Sequence, residues 1–134
     1  MLDCLILGDS IAVGVSQYRP ECQVKAEVGI SSTGYNEKFG IVTCQANTVI
    51  ISLGSNDSSA TQTAKGILKL RNSIDADRVI WIIPPEIRND KKFMIIKVAM
   101  NFNDVILDIP SSYVGPDHVH PTNEGYKYIA NMAK

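Results

Sequence analysis

The feature that most limits the fold of this chain is a pair of nearly uninterrupted apolar runs, residues 49–53 and 79–83. Both runs are rich in valine and isoleucine, and Ser52 is their one polar interruption. Continuous rather than alternating apolarity is typical of strands that are covered on both faces, as in a parallel sheet. The two runs therefore predict two strands of a parallel sheet that is covered on both faces, Thr48–Leu53 and Arg78–Ile83.

Three further runs rich in β-branched residues, at 2–7, 23–28 and 104–109, predict three more strands. After the third, fourth and fifth predicted strands, apolar residues recur with the spacing of a helix, which predicts three helices. The residues that carry it are Ala60, Ala64, Ile67, Leu68 and Ile74; then Ile95, Val98, Ala99 and Phe102; then Tyr126, Ile129, Ala130 and Ala133. Strands that alternate with helices predict a single α/β domain over residues 1–134, a three-layer α/β/α sandwich with a five-stranded parallel sheet.

The helix between Phe93 and Phe102 is apolar on more than one face. Deep burial is the preferred explanation. The alternative is a contact with a second subunit, which would make the protein a homo-oligomer or part of an assembly.

Charge and hydropathy exclude several classes of partner. The net charge is -1 and the sequence has no basic cluster, so nucleic acid is not expected to bind. No apolar run is long enough to cross a bilayer, so no membrane partner is expected. Residues 1–10 lack the positive region and cleavage site of a signal peptide, which predicts a cytoplasmic location.

The three cysteines, Cys4, Cys22 and Cys44, form no C-x-x-C motif and have no histidine nearby in sequence. We expect reduced structural thiols rather than a disulfide, a metal site or a catalytic role.

Short polar motifs follow the predicted strands and should meet at one rim, because sites in open parallel sheets form beyond the carboxyl ends of the strands. In chain order they are Gly8-Asp9-Ser10, Gly29, Gly54-Ser55-Asn56-Asp57, Pro84-Pro85 and Asp117-His118-Val119-His120-Pro121.

These motifs supply the parts of a catalytic triad. A serine hydroxyl such as that of Ser10 needs a base to accept its proton, and histidine, which ordinarily titrates near pH 6.5, suits this task. Asp117 precedes His120 by three residues, a spacing at which one tight turn brings the carboxylate to the imidazole Nδ1. His118, adjacent to Asp117, should point away from it, so His120 is favoured as the base.

A tetrahedral intermediate also needs donors for its oxyanion. The candidates are the backbone N–H groups of Ser10 and Gly29 and the side-chain amide of Asn56, and losing one such donor typically costs about 100- to 1000-fold in rate. Asp9 and Asp57 are assigned to hydrogen bonds within their loops. Neither a metal site nor a glycine-rich phosphate loop is indicated, so no cofactor is expected.

Each motif alone is more often structural than catalytic, but their joint occurrence in this order resembles the SGNH hydrolase superfamily, the GDSL esterases and lipases. In that resemblance Ser10, Gly29, Asn56 and His120 match the four residues that name the family, with Asp117 as the third triad member. The resemblance spans almost the whole chain and implies the same flavodoxin-like α/β/α fold.

The resemblance implies a serine esterase without cofactor. The chain is shorter than most members of the family, which favours a shallow, open site and a small acyl group, with acetyl on an alcohol or carbohydrate as the leading substrate. Asp9, Ser31 and Pro84 are candidate substrate contacts. The alternatives are acyl transfer by the same residues and a non-catalytic binding or assembly module.

Overall fold

The computed structural model describes residues 2–40 and 44–134, apart from the side chain of Cys44. Its described elements are, in chain order, β1 (Leu2–Gly8), α1 (Ser10–Ser16), β2 (Gln23–Ala26), α2 (Ser32–Phe39), β3 (Cys44–Ser52), α3 (Ala60–Asn72), β4 (Ile74–Ile82), α4 (Asn89–Asn101), β5 (Val105–Leu107), a 3-10 turn (Ser111–Tyr113) and α5 (Asn123–Met132).

All five strands are parallel and form one sheet in the order β2-β1-β3-β4-β5. The chain moves outward from β1 to β2 on one side and from β3 to β5 on the other. The crevice between β1 and β3, where this order reverses, is the place at which open α/β sheets bind ligands.

Alternate residues of the central strands enter two separate cores, as the two-residue period of a strand requires. Leu7, Ile51 and Trp81 pack on the side of α2, α3 and α4, whereas Ile6 and Ile50 pack on the side of α1 and α5. Both faces of the sheet are thus covered. The predicted three-layer sandwich with a five-stranded parallel sheet is confirmed.

Strands β3 and β4 begin at Cys44 and Ile74, four residues before the predicted strand starts at Thr48 and Arg78. Their polar starts pair through the backbone, with Gln45 opposite Asp75 and Ala46 opposite Ala76. Ile74, which fitted the helical pattern, is the first residue of β4, so that part of the helix prediction is wrong. Helix α3 ends at Asn72, and Ser73 caps its last carbonyls.

Helix α4 buries Ile95, Val98 and Ala99 against the sheet, in agreement with the preferred explanation of its apolar character. Phe93 and Met100 remain exposed on its outer side. Self-association through this helix stays a prediction.

Cys4 and Cys22 are joined in a disulfide, which contradicts the prediction of reduced thiols. The register explains the contact: Leu5 pairs with Gln23, so the residues just before them are neighbours, with their Cα atoms 4.8 Å apart. This separation lies within the range that disulfides span. The thiol of Cys44 lies outside the described side chains.

The same disulfide bears on two other predictions. Disulfides persist mainly in oxidising compartments, so the bond argues against the predicted cytoplasmic location, which stays a prediction. One grouping of potential metal ligands in the described residues consists of these two cysteines and Glu21, and both sulfur atoms are engaged in the disulfide. No helix in the described ranges has the length and apolarity needed to span a membrane.

Candidate active site

Ser10 is held at the carboxyl end of β1 by a very tight turn. Gly8 has a φ of +139°, and a Cβ atom there would lie 1.9 Å from the carbonyl oxygen of Ser52, so glycine is required at this position. Asp9 donates its backbone N–H to the same carbonyl (2.9 Å) and caps α1. The turn therefore places Ser10 as the first residue of α1, directly above the sheet.

The loop before α5 brings Asp117 and His120 together as their spacing predicts. One Asp117 carboxylate oxygen accepts the backbone N–H groups of Val119 (3.0 Å) and His120 (2.9 Å), and the other lies 2.6 Å from His120 Nδ1. The hydrogen bond to the His120 ring, followed by those two N–H groups, holds the pKa of the Asp117 carboxyl well below its usual range. Asp117 is consequently an ionised acceptor that fixes the orientation of the imidazole.

His120 Nε2 lies 2.9 Å from Ser10 Oγ, across 110 positions of sequence, and this contact completes a chain from Asp117 to Ser10. His118, the competing histidine, lies elsewhere, with its Nδ1 3.5 Å from Glu86 Oε1. The side chains of Asp117 and His120 are 52% and 46% exposed. The triad thus sits at an open surface, in keeping with the expectation of a shallow site.

The candidate oxyanion donors follow three adjacent strands, β2, β1 and β3. Gly29 has a φ of +80°, which explains why glycine stands there, although the space around its Cα atom is open. Asn56 donates from Nδ2 to the carbonyl of Ile30 (3.1 Å). This bond occupies one amide hydrogen and orients the amide, and the second hydrogen is left for another acceptor.

Asp57 extends beyond its own loop, which the sequence did not reveal. Its buried carboxylate accepts the backbone N–H of Ser32 (2.7 Å), the Ser32 hydroxyl and the Thr63 hydroxyl (2.7 Å). The Asp57 carbonyl accepts from Lys91 Nζ (3.0 Å). Asp57 therefore joins the loop that carries Asn56 to the start of α2, just after the loop of Gly29.

The three candidate substrate contacts differ in their positions. Ser31 is half-buried and caps α2 by accepting the N–H of Gly34 (3.1 Å). Pro84 is buried, and Asp9 is 1% exposed. Substrate outside the protein does not reach these two side chains, so the structure does not support their predicted contact role.

Asp9 instead has a structural function inside the turn. One of its oxygens accepts the N–H of Ile11 (3.1 Å) and the hydroxyl of Ser52 (3.0 Å). The other is buried without a hydrogen-bond partner among the described residues. Burial penalises the charged carboxylate and raises the pKa of Asp9 to about 6.

This raised pKa makes stability depend on pH. The folded protein holds the Asp9 proton more tightly than the unfolded chain does, so stability falls as the pH rises from about 4 to about 6. A rise in the pKa of Asp9 from 3.8 to about 6 corresponds to about 3 kcal/mol in the free energy of unfolding. Asparagine is also a good helix N-cap and stays neutral. We therefore expect the free energy of unfolding of Asp9→Asn to gain up to about 3 kcal/mol relative to the wild type between about pH 4 and about pH 8.

Urea unfolding at both pH values measures this gain. The exposed Asp77 of β4 offers a matched control, because Asp77→Asn removes a carboxylate that lies at the surface. A difference between Asp9→Asn and the wild type that is the same at both pH values would contradict the prediction.

Comparison with solved structures identifies several chains of the same fold. A candidate acylhydrolase from Bacteroides fragilis has a TM-score of 0.66 at 19% identity, over 96% of this chain and 83% of that one. The C-terminal catalytic domain of peptidoglycan O-acetyltransferase A from Streptococcus pneumoniae, solved with a methylsulfonyl adduct, has a TM-score of 0.61 at 18% identity, over 97% and 89%. An acetyl xylan esterase from the rumen bacterium Butyrivibrio proteoclasticus has a TM-score of 0.59 at 12% identity, over 98% and 61%.

Neither a protein-family model nor a curated protein matches the chain. At these identities the structural likeness concerns the fold. The fold that the SGNH resemblance implies is confirmed: this chain shares its α/β/α architecture with a candidate acylhydrolase, an acetyltransferase domain and an acetyl xylan esterase.

Proposed function

We propose that this protein is an SGNH-type serine ester hydrolase that removes a small acyl group, acetyl above all, from an alcohol or carbohydrate ester. The observation that carries the proposal is the unbroken chain of contacts from Asp117 through His120 to Ser10. It stands at the carboxyl edge of a parallel sheet, beside the crevice between β1 and β3.

In the first half of the reaction, Ser10 Oγ attacks the ester carbonyl carbon while its proton passes to His120 Nε2. Asp117 stabilises the imidazolium that forms. The ester C–O bond then breaks, and His120 gives the proton to the departing alcohol oxygen. An acetyl group remains bonded to Ser10 Oγ.

In the second half, water replaces the alcohol. His120 takes a proton from the water as its oxygen bonds to the acyl carbon, and the bond to Ser10 Oγ then breaks as the proton returns to the serine. The products are acetic acid, the alcohol and the original enzyme. In both halves the oxyanion accepts from the N–H groups of Ser10 and Gly29 and from the free amide hydrogen of Asn56.

Two observations support a small acyl group and an acetylated substrate. The half-exposed side chains of Asp117 and His120 describe an open site rather than a deep tunnel for a long chain. Two proteins of the same fold are, by name, a peptidoglycan O-acetyltransferase domain and an acetyl xylan esterase.

The alternative is acyl transfer to a second alcohol. The likeness in fold to the peptidoglycan O-acetyltransferase domain supports it. It uses the same residues, with an alcohol in place of water in the second half. Product analysis in the presence of a competing alcohol separates the two activities. A non-catalytic module is the third candidate, and the assembled triad argues against it.

The test is hydrolysis of p-nitrophenyl acetate and p-nitrophenyl octanoate, together with labelling by a fluorophosphonate, which reacts covalently with activated serines. We expect turnover of the acetate, a slower reaction of the octanoate, and one label on Ser10. Preference for the octanoate would refute the proposal of a small acyl group, but the proposed serine mechanism would still hold. Absence of both turnover and labelling in folded protein would refute the proposal that the protein is a serine esterase.

A further inference from the structure

A cavity of about 570 Å³ lies next to the triad loop, and the reaction proposed above does not yet use it. Its walls come from the loop after β4 and from the segment between β5 and α5. Its volume falls within the range of small-molecule binding sites.

The loop that carries Asp117 and His120 forms one wall of the cavity. Gly115, one of its lining residues, donates its N–H to the His120 carbonyl (2.8 Å). Pro116 and His118, which also line it, flank Asp117 in the chain. The cavity is therefore on the side of the base, whereas Gly29 and Ser10 follow β2 and β1, on the other side of β3.

The proposed chemistry assigns this side to the alcohol. His120 must hand its proton to the departing alcohol oxygen, so the alcohol has to lie against the imidazole. The carbonyl oxygen points the opposite way, towards the oxyanion donors. A cavity lined by the loop that carries His120 is thus placed for the leaving group and not for the oxyanion.

The lining combines apolar walls with a serine, Ser111, and one carboxylate–imidazole pair. Pro85, Ile109 and Val114 contribute the apolar surface. Glu86 and His118 contribute a carboxylate and an imidazole, and their side chains are 68% and 72% exposed, with Oε1 and Nδ1 3.5 Å apart. Hydroxyl groups suit this pair, because a carboxylate accepts hydrogen bonds and an imidazole either donates or accepts them.

The backbone conformation of Glu86 and His118 is a second, independent indication that this pair belongs to a binding site. Glu86 has a φ of +52° and His118 a φ of +61°, both in the left-handed region that residues other than glycine seldom adopt. Such conformations are energetically costly and cluster at ligand-binding sites. Here two of them turn polar side chains towards each other at the same cavity.

We propose that this cavity is the leaving-group subsite and that Glu86 and His118 select a polyhydroxylated alcohol, a sugar ring, over an alkyl alcohol. The inference rests on the proposed function and names the alcohol side of its substrate. A sugar ring has C–H faces for the proline and aliphatic walls and hydroxyl groups for the polar pair.

The test uses two esters with the same acetyl group and different alcohols, methyl 6-O-acetyl-glucopyranoside and hexyl acetate. We expect the wild type to prefer the sugar ester in kcat/KM. Glu86→Gln should lower kcat/KM for the sugar ester about tenfold, mainly through KM, with a smaller loss for hexyl acetate. His118→Asn should act in the same direction, since asparagine tolerates the left-handed conformation.

Glu37→Gln is the matched control, since Glu37 is exposed on α2 and does not line the cavity. It should leave both rates unchanged. A wild type that prefers hexyl acetate, or variants that lose both activities equally, would overturn the subsite assignment. Fluorophosphonate labelling of Ser10 distinguishes the esterase proposal from the subsite proposal. Labelling without a preference for the sugar ester would refute the subsite alone, whereas absence of labelling would refute both.

Discussion

Replacement of Ser10 by alanine should lower kcat for p-nitrophenyl acetate by about 10⁴-fold or more, to the residual rate that a site without its nucleophile supports. The reason is the loss of the Ser10 hydroxyl, which lies 2.9 Å from His120 Nε2. Without this hydroxyl no acyl-enzyme can form, so the reaction can proceed only by direct attack of water on the ester. A steady-state assay with the corresponding fluorophosphonate labelling measures the effect.

Ser16→Ala supplies the control for this experiment. Ser16 ends the same helix, α1, and its hydroxyl donates to the Val13 carbonyl (2.6 Å), remote from the triad. Its removal should leave kcat and labelling at the wild-type level. Full esterase activity in Ser10→Ala would show that another group performs the chemistry, and the mechanism would then be abandoned.

The order of strands and helices was predictable because it depends on hydrophobic pattern, which the sequence carries directly. The starts of β3 and β4 were not, because polar residues such as Gln45 and Asp75 stay in the sheet through backbone pairing alone. The disulfide between Cys4 and Cys22 needed the register of β1 on β2, and no spacing of 18 residues specifies that register.

The candidate site likewise contains some features that the sequence predicts and others that it does not. The contacts among Ser10, Asp117 and His120 were predictable because the chemistry proposed for them restricts which residue types can take part and where they can lie. Asp57 was assigned to its own loop, since a sequence does not say that its carboxylate reaches Ser32 across 25 positions. Glu86 gave no signal at all: a single acidic residue in a loop is ordinary until its left-handed backbone and its neighbour His118 are seen.

Replacement of Asp117 by asparagine should separate the chemistry of the triad from the structure of its loop. The amide keeps one oxygen, which can still accept the N–H groups of Val119 and His120 that Asp117 Oδ1 accepts now. The second oxygen becomes an NH₂ group, which donates hydrogen bonds and cannot accept one from the N–H at His120 Nδ1. The imidazole then favours the tautomer with its proton on Nε2, where the proton of Ser10 has to arrive.

We therefore expect Asp117→Asn to lower kcat about 10⁴-fold while the loop keeps its conformation. Thermal unfolding should change little, because the described contacts of Asp117 lie within an exposed loop and two of the three are retained. Activity should recover partly at alkaline pH, where water or hydroxide can deprotonate the nucleophile in place of the base. A variant with wild-type kcat would mean that His120 does not depend on Asp117 for its tautomer. A variant that loses activity and stability together would mean that Asp117 acts chiefly on the loop, and the role of an orienting carboxylate would have to be given up.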